Sequence, residues 1–238
     1  MAISSSYNFA TSRNEIIAGA LRILGVIGEG DTPSTNQYTT GAEALNMLVK
    51  AWENDGLPIW LIKKQQITLI SGTNTYAIGE GQTTNVGKPL KIYQAFYHDT
   101  ASAVDIPMTS LSQQEYNMLS NKTIAGRPIQ FYYEALRSYG NLYTFPTPDA
   151  NAASDGSIYI LYQSPFSDFD GSTDEPDVPQ EFYRALKYAL ANDLAFEYGY
   201  PSKDRQDLER RSEQYKAQAF SFNQEEESFN FQIDRRNY

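Results

Sequence analysis

The pattern of apolar positions at the start of the chain is helical. Ser12 followed by Glu15 is a capping-box pair, and it precedes apolar residues at steps of three and four. A second predicted helix runs from about residue 36 to 55 and ends before Gly56 and Pro58, which stop a helix. Its stripe comprises Tyr38, Ala42, Leu45, Val49 and Trp52. Two helices with apolar stripes need further partners to bury them.

Between about Ile59 and Pro165 the apolar residues no longer have helical spacing and instead alternate with polar ones, which predicts strands. Ser71-Gly-Thr-Asn74 is a turn signal between predicted strands at 66–70 and 75–78. A longer strand is predicted at 89–97. We expect Val104–Met108 to be an edge strand, because edge strands tolerate proline.

Other short elements interrupt or follow these strands. Ser112 and Glu115 form a second capping-box pair before a short helix that ends near residue 119. Aromatic residues alternate at 129–134 and again at 158–163, with apolar side chains on both faces, which favours a small sandwich or a covered sheet.

The helical pattern returns near the end of the chain. We expect Asp177 to cap a third helix with Pro179 in its first turn. A fourth helix, from Ser202 to about Ala219, has a sparse stripe around Leu208 and Tyr215 and should pack on one side only. Residues 220–238 are too polar to fold alone and too aromatic for an ordinary solvated tail.

These patterns together predict an α+β fold. The N- and C-terminal helices would form one four-helix bundle, with an antiparallel β-rich domain inserted between the second and third helices. The expected boundaries are 1–58 and 166–219 for the halves of the bundle and 59–165 for the inserted domain. Residues 220–238 would form an extended C-terminal docking tail.

Composition narrows the class of protein. Hydrophobic residues make up 41% of the 238 residues, enough for a buried core, and there is no cysteine for disulfides or thiolate sites. The formal net charge of −10 argues against a protein that wraps nucleic acid, which would carry a basic footprint. The start of the chain lacks the pattern of a signal peptide, and no apolar stretch has the length of a membrane span, so we expect folding in the cytoplasm.

Candidate catalytic and ligand-binding patterns are weak. His98 is the only histidine, and its neighbour Asp99 could form an imidazole–carboxylate pair, but a surface histidine at a strand end is favoured. Gly28-Glu-Gly30, Gly79-Glu-Gly81 and Gly87-Lys88 lack the context of a phosphate loop and are interpreted as turns or loop sequence. The acidic residues between 168 and 177 lack the order of a calcium loop and favour a solvated linker. We predict no catalytic residue, no cofactor and no metal.

The second half of the chain contains a more specific order of motifs. Arg127-Pro-Ile-Gln-Phe-Tyr-Tyr and Asn141-Leu-Tyr-Thr-Phe-Pro-Thr-Pro-Asp149 precede Ser157-Ile-Tyr-Ile-Leu-Tyr-Gln-Ser-Pro165, and Asp177-Val-Pro-Gln-Glu-Phe-Tyr-Arg-Ala-Leu186 then opens a helix. With Asn14-Glu-Ile-Ile-Ala-Gly-Ala-Leu-Arg-Ile-Leu-Gly25, this order resembles the head-to-tail adaptor family of tailed phages. That family includes tail tubular protein A, the packaged-DNA-stabilisation proteins and head-completion-like proteins.

The resemblance implies a structural ring protein of the virion, not an enzyme. Its members form a ring, dodecameric in the expected case, that binds the portal protein, presents a platform to the tail nozzle or other tail proteins, and lets DNA pass without specific binding. Assembly would take place in the host cytoplasm. The expected interface residues with the portal or a neighbouring subunit are Phe222, Phe229, Phe231, Ile233 and Tyr238.

Two other functions remain open from the sequence. One is a cell-wall-degrading or carbohydrate-binding tail module, which would bind glycans as an isolated monomer. The other is a different neck or tail-tube subunit. A ring subunit differs from a carbohydrate module because it should need its portal to order its tail.

Overall fold

A computed structural model describes residues 9–55 and 61–221. The chain divides into two compact units. Residues 1–59 and 168–238 form the first, called the helical unit here, and residues 60–167 form the second, the sheet unit. Of the predicted docking tail, residues 220–238, only Phe220 and Ser221 are described.

Four helices make up the described part of the helical unit: α1 (Arg13–Ile23), α2 (Thr35–Asp55), α5 (Tyr183–Glu197) and α6 (Ser202–Ser221). The capping box predicted at the first helix is confirmed, because the Ser12 side chain accepts from the Glu15 N–H while the Glu15 carboxylate accepts from the Ser12 N–H. The third helix starts differently from the expectation. A 3-10 turn (Gln180–Phe182) follows Pro179 without a side-chain cap, and Asp177 does not cap α5.

Helix α5 is the centre of the helical unit. It contacts α1, α2 and α6, and its buried face includes Leu186, Leu190 and Leu194. Among the described helices, α6 packs mainly on α5 and on the 3-10 turn before it. The prediction that this last helix packs on one side is confirmed, since its buried residues are only Leu208, Ser212 and Ala219.

The sheet unit is built on a seven-stranded mixed sheet. Its strands are β1 (Ile62–Thr68), β2 (Thr75–Ile78), β3 (Lys91–Asp99), β4 (Val104–Ser110), β6 (Gln130–Ala135), β7 (Gly140–Phe145) and β9 (Gly156–Gln163), in the order β1-β9-β3-β4-β6-β7-β2. A separate pair joins β5 (Ala125–Gly126) to β8 (Thr147–Pro148). Two short helices, α3 (Gln113–Met118) and α4 (Ala150–Asp155), belong to the same unit.

The predicted fold class, a helical bundle with an inserted antiparallel domain, is wrong. The fold is a mixed α+β arrangement with six α-helices in the described residues, and two of these helices lie in the strand-rich unit. The sheet is not antiparallel throughout, because β4 pairs with β6 and β5 pairs with β8 in parallel. The four larger helices do not form a closed bundle, because α6 has α5 as its main helical neighbour.

The core of the sheet unit lies on one face of the sheet. It contains inward residues from β1, β9, β3 and β4 together with Tyr76, Ile78, Phe131 and Leu142 from β2, β6 and β7, and Ala152 from α4. The opposite face of β1, β9 and β3 carries Lys64, Tyr159 and Phe96, of which Phe96 is also buried. The two sets of side chains alternate along each strand, as two-residue periodicity requires.

Strand β4 corrects the edge-strand prediction. It lies between β3 and β6 in the sheet order, so it is not an edge. Proline is tolerated there because Pro107 faces Phe96 in the stretch paired with β3, whereas β6 pairs only with Thr109 and Ser110. The turn predicted at 71–74 is confirmed, with Gly72 at a φ of +77°.

Candidate functional site

A groove crosses the outside of the helical unit. It has a volume of about 460 Å³ and is lined by α2, α5 and α6. Met47 and Trp52 on α2 both line it. Met47 is 68% exposed, an unusual position for a large apolar side chain, while Trp52 is buried. We call this feature the helical groove. Its apolar floor and open form are those of a surface that accepts a partner's side chains.

Charged groups line the wall of the helical groove. Neighbouring protein atoms desolvate Asp193 and raise its pKa above the ordinary value, while the nearby Lys216 acts in the opposite direction. The Lys216 ammonium lies 5.4 Å from the Trp52 ring centre, a cation–π arrangement. Phe220, near the end of α6, meets the Trp52 ring edge-on at 5.8 Å. The groove therefore combines an apolar floor with two acidic lining residues, Asp193 and Glu213, and one basic residue, Lys216.

The acidic residues at 168–177 lie in a loop, and most of their side chains are exposed, as expected of a solvated linker. The Arg13 guanidinium donates to the Phe169 and Asp170 carbonyls, and the Phe169 N–H donates to the Asn46 side chain at 2.9 Å. Phe169 is buried, and Lys50 pairs with Asp168 at 3.0 Å. This acidic loop is thus fixed on α1 and α2 by its backbone, and most of its carboxylates remain exposed.

A lysine lies over two aromatic rings on the outer face of the sheet unit. The Lys64 ammonium on β1 is 4.8 Å from the Phe96 ring centre and 4.5 Å from that of Tyr159. The two rings stack at 5.5 Å because Phe96 and Tyr159 are direct partners across β3 and β9. We call this group the lysine–aromatic cluster. No motif indicated it, since the three residues come from strands whose pairing the sequence did not reveal.

His98 does not pair with the neighbour that the sequence suggested. Its Nδ1 lies 2.6 Å from the Asp105 carboxylate, on the adjacent strand β4. The Asp99 carboxylate instead accepts the N–H groups of Ala101 and Ser102, which lower its pKa. Within residues 9–55 and 61–221, no group of His, Asp and Glu side chains has the arrangement of a metal site.

The glycine-rich sequences interpreted as turns have turn geometry. Gly30 and Gly81 have φ values of +86° and +71°, and the Gly28 N–H donates to the Asp31 carboxylate, which anchors the loop between α1 and α2. None of these glycines connects a strand to a long helix as a phosphate loop does.

Charge is divided unequally between the two units. The sheet unit has seven Lys and Arg and seven Asp and Glu, so it is formally neutral. The helical unit has 12 basic and 22 acidic residues and therefore carries the whole net charge of −10. Any partner that responds to the negative charge of the chain meets it on the helical unit.

A comparison with known protein families identifies the class of protein to which the chain belongs. The family model described as SU10 adaptor protein matches residues 12–236, nearly the whole chain. The chain belongs to the SU10 adaptor protein family. This agrees with the sequence resemblance to phage adaptors and narrows it to one family. No curated protein matches the chain.

Membership of the SU10 adaptor family assigns this protein a structural role as a phage adaptor. The protein is therefore a component of the virion. Among the described residues, no helix has both the length and the apolar character needed to cross a membrane. The surfaces described above are accordingly candidates for contacts between proteins.

The interface residues predicted for this SU10 adaptor all fall in the C-terminal segment, residues 222–238. Phe222, Phe229, Phe231, Ile233 and Tyr238 lie outside the described residues. The helical groove and the lysine–aromatic cluster are the surfaces that sequence reasoning missed. The available signal for the groove in the sequence was Met47, a large apolar residue that falls outside the predicted stripe of the second helix.

Proposed function

We propose that this protein is a ring-forming adaptor between the portal and the tail of a phage virion. Twelve copies would bind the portal, surround a channel through which DNA passes, and present a platform for the tail nozzle or other tail proteins. The observation that carries the proposal is the SU10 adaptor match over residues 12–236. Assembly would take place in the host cytoplasm before incorporation into the virion.

The distribution of charge supports a conduit. DNA moves along a wall more readily when the wall does not hold its phosphates, and the helical unit has an excess of ten acidic side chains. The acidic loop offers exposed carboxylates on a rigid backbone, so part of this excess is available to line a channel.

The C-terminal segment is proposed to be a docking element. Phe229, Phe231 and Ile233 alternate, as in an extended segment that inserts alternate side chains into a partner. Buried aromatic anchors dominate the energy of many protein interfaces. Together with Phe222 and Tyr238, these residues would hold the subunit on the portal or on a neighbouring subunit.

The experiment is to mix purified protein with the portal of the same phage and image the product by negative stain. Alone, the protein should be mainly monomeric by light scattering, with rings forming only on the portal template. A large stable ring without portal would contradict templated assembly, and no binding to the portal would contradict the proposed function.

Truncation tests the docking element. The chain should be cut after Ser221 and not earlier, because Phe220 packs against Trp52 and Phe182. The shortened monomer should keep the circular dichroism of the full chain and bind the portal several kcal/mol more weakly, as expected from losing two or three aromatic anchors. Unfolding would mean that the segment is part of the core, and unchanged binding would mean that it is passive.

A further inference from the structure

Strand β1 leaves one edge of the seven-stranded sheet open. It is the first strand in the sheet order and pairs with β9 over all seven of its residues, from Ile62 to Thr68. Among the described residues no strand pairs with its other edge. Alternate N–H and C=O groups along that edge are therefore available to a further strand.

This edge lacks most of the features that block strand addition. The β1–β9 register is continuous, β1 contains no proline, and seven residues is long for an unprotected edge. The sheet's other terminal strand, β2, has only four residues and offers a much shorter edge. What β1 does carry is charge, in Lys63 and Lys64.

The charges of Lys63 and Lys64 favour the addition of an acidic strand. None of the ion pairs among the described residues includes Lys63 or Lys64. The Lys64 ammonium is positioned over Phe96 and Tyr159, so it stays close to β1. A second copy of β1 would bring like charges together, whereas an acidic strand would bring opposite charges together.

Only one of this chain's acidic segments also has the pattern of a strand. The acidic loop contains Gly171 and Pro176 and is already bound to α1 and α2. The C-terminal segment has Glu225-Glu-Glu227 followed by alternating Phe229, Phe231 and Ile233. It offers both an acidic run for the lysines and period-two apolar side chains for a sheet edge.

We propose that the C-terminal segment of one copy adds as a strand to the open β1 edge of a second copy. Its glutamates would lie near Lys63 and Lys64, and its aromatic residues near the lysine–aromatic cluster. The contact joins two different surfaces, and such a contact forms a ring when the rotation between successive copies closes. The inference rests on the proposed docking role of this segment and names the surface that receives it.

The absence of cysteine from the chain allows a direct test by disulfide trapping. One protein carries Gln65→Cys, on the face of β1 opposite Lys64, and a second carries Ser228→Cys, Asn230→Cys or Gln232→Cys. These tail positions face the same side as Gln65 when Phe229 and Phe231 lie on the side of the lysine–aromatic cluster. The pair is mixed at high concentration under mild oxidation. A crosslinked dimer with at least one tail position is expected. A matched control, Thr75→Cys on the edge strand β2, should give no crosslink.

Charge reversal distinguishes a specific contact from random collision. Lys63→Glu with Lys64→Glu should lower the crosslinked fraction roughly tenfold, and Lys at all three positions 225–227 should do the same. Combining the reversed β1 with the reversed tail should restore crosslinking, an outcome that misfolding cannot produce. Equal trapping at Thr75→Cys, or failure of the combined reversal to restore it, would overturn the proposal.

Two further outcomes separate this inference from the proposed function. A chain carrying both cysteines that crosslinks only within itself at every dilution would overturn docking on a second copy. Rings that form on the portal without any trapping at β1 would overturn this inference and leave the adaptor function standing. Trapping at β1 without portal binding would support the inference and contradict the proposed function.

Discussion

Two buried helix glycines lie in different surroundings. A Cβ added to Gly41 in α2 would be 2.5 Å from a methyl carbon of Ile17, which is fully buried in α1. A Cβ added to Gly19 in α1 would be 2.7 Å from Cδ of Lys187, a flexible side chain. Only at Gly41 does the neighbour lack room to move.

Alanine at these two positions should therefore have opposite effects on the free energy of unfolding. Gly41→Ala should destabilise the protein by roughly 1–2 kcal/mol, because overpacking exceeds the gain in helix propensity. Gly19→Ala should be neutral or stabilising by up to about 1 kcal/mol. Urea denaturation of both variants measures the difference, and equal destabilisation would show that Lys187 is held as rigidly as Ile17.

Tyr133 should make the stability of the protein depend on alkaline pH. Burial raises its pKa to about 12, and its hydroxyl donates to the Pro89 carbonyl at 2.7 Å. Because the folded pKa lies above the ordinary value of 10.0, this group's stabilisation is complete below pH 10 and is lost as the pH rises towards 12.

Tyr133→Phe should cost about 1 kcal/mol near neutral pH through the lost hydrogen bond. Between pH 10 and 12 the variant should lose less stability than the parent, since the ionising group is gone. Urea unfolding at neutral pH and at two alkaline pH values checks this. The same alkaline loss in both proteins would assign it to other tyrosines, such as Tyr76 or Tyr162, whose pKa values burial also raises.

At the scale of elements, helix α3 depends on a single side chain. The helix has six residues, too few to be stable alone, and Tyr116 is its buried residue. The Tyr116 ring packs against Tyr132 at 5.5 Å and Tyr143 at 5.2 Å on β6 and β7. These three rings attach α3 to the sheet.

Tyr116→Ala should detach α3 and cost roughly 2–4 kcal/mol, whereas Tyr116→Phe should cost little because the ring is retained. Hydrogen exchange at residues 113–118 is the measurement. It should become fast in the alanine variant and stay slow in the phenylalanine variant. Slow exchange in both would mean that the Ser112–Glu115 capping box alone holds the helix.

Local signals in the sequence predicted individual elements well. The capping pairs at Ser12 and Ser112, the turn at Gly72 and the one-sided packing of α6 are determined by residues close together in the chain. The pairing of β1 with β9 joins residues almost a hundred positions apart and has no local signal. The lysine–aromatic cluster follows from that pairing and from the pairing of β3 with β9, and the mixed sheet follows from the parallel pairing of β4 with β6, so the sequence did not reveal them.

At the scale of the whole molecule, the positions of the basic residues decide whether DNA can bind. On α6, Arg210 and Arg211 both pair with Asp207, while Arg205 lies over Phe196 and Lys216 over Trp52. These four cations do not gather on one face of the helix. The helical unit that carries them is strongly acidic overall.

We therefore expect no measurable binding of duplex DNA by the isolated protein at physiological salt. A mobility-shift assay with a known basic DNA-binding protein alongside is the measurement. Sub-micromolar, salt-sensitive binding would contradict the prediction and would require Arg205, Arg210, Arg211 and Lys216 to act together despite their separate contacts.

The central position of α5 also determines the order in which parts of the chain can fold during synthesis. Helices α1 and α2 are complete once Asp55 has been added, but α5, which both of them contact, ends at Glu197. At translation rates of about 5–20 residues per second, the ribosome needs roughly 7–30 s to add the intervening chain. During that interval the stripes of α1 and α2 have no α5 to cover them, while the sheet unit, residues 60–167, emerges in full. Nascent chains are thus expected to complete the sheet unit first, and the first helices made are among the last to reach their final packing.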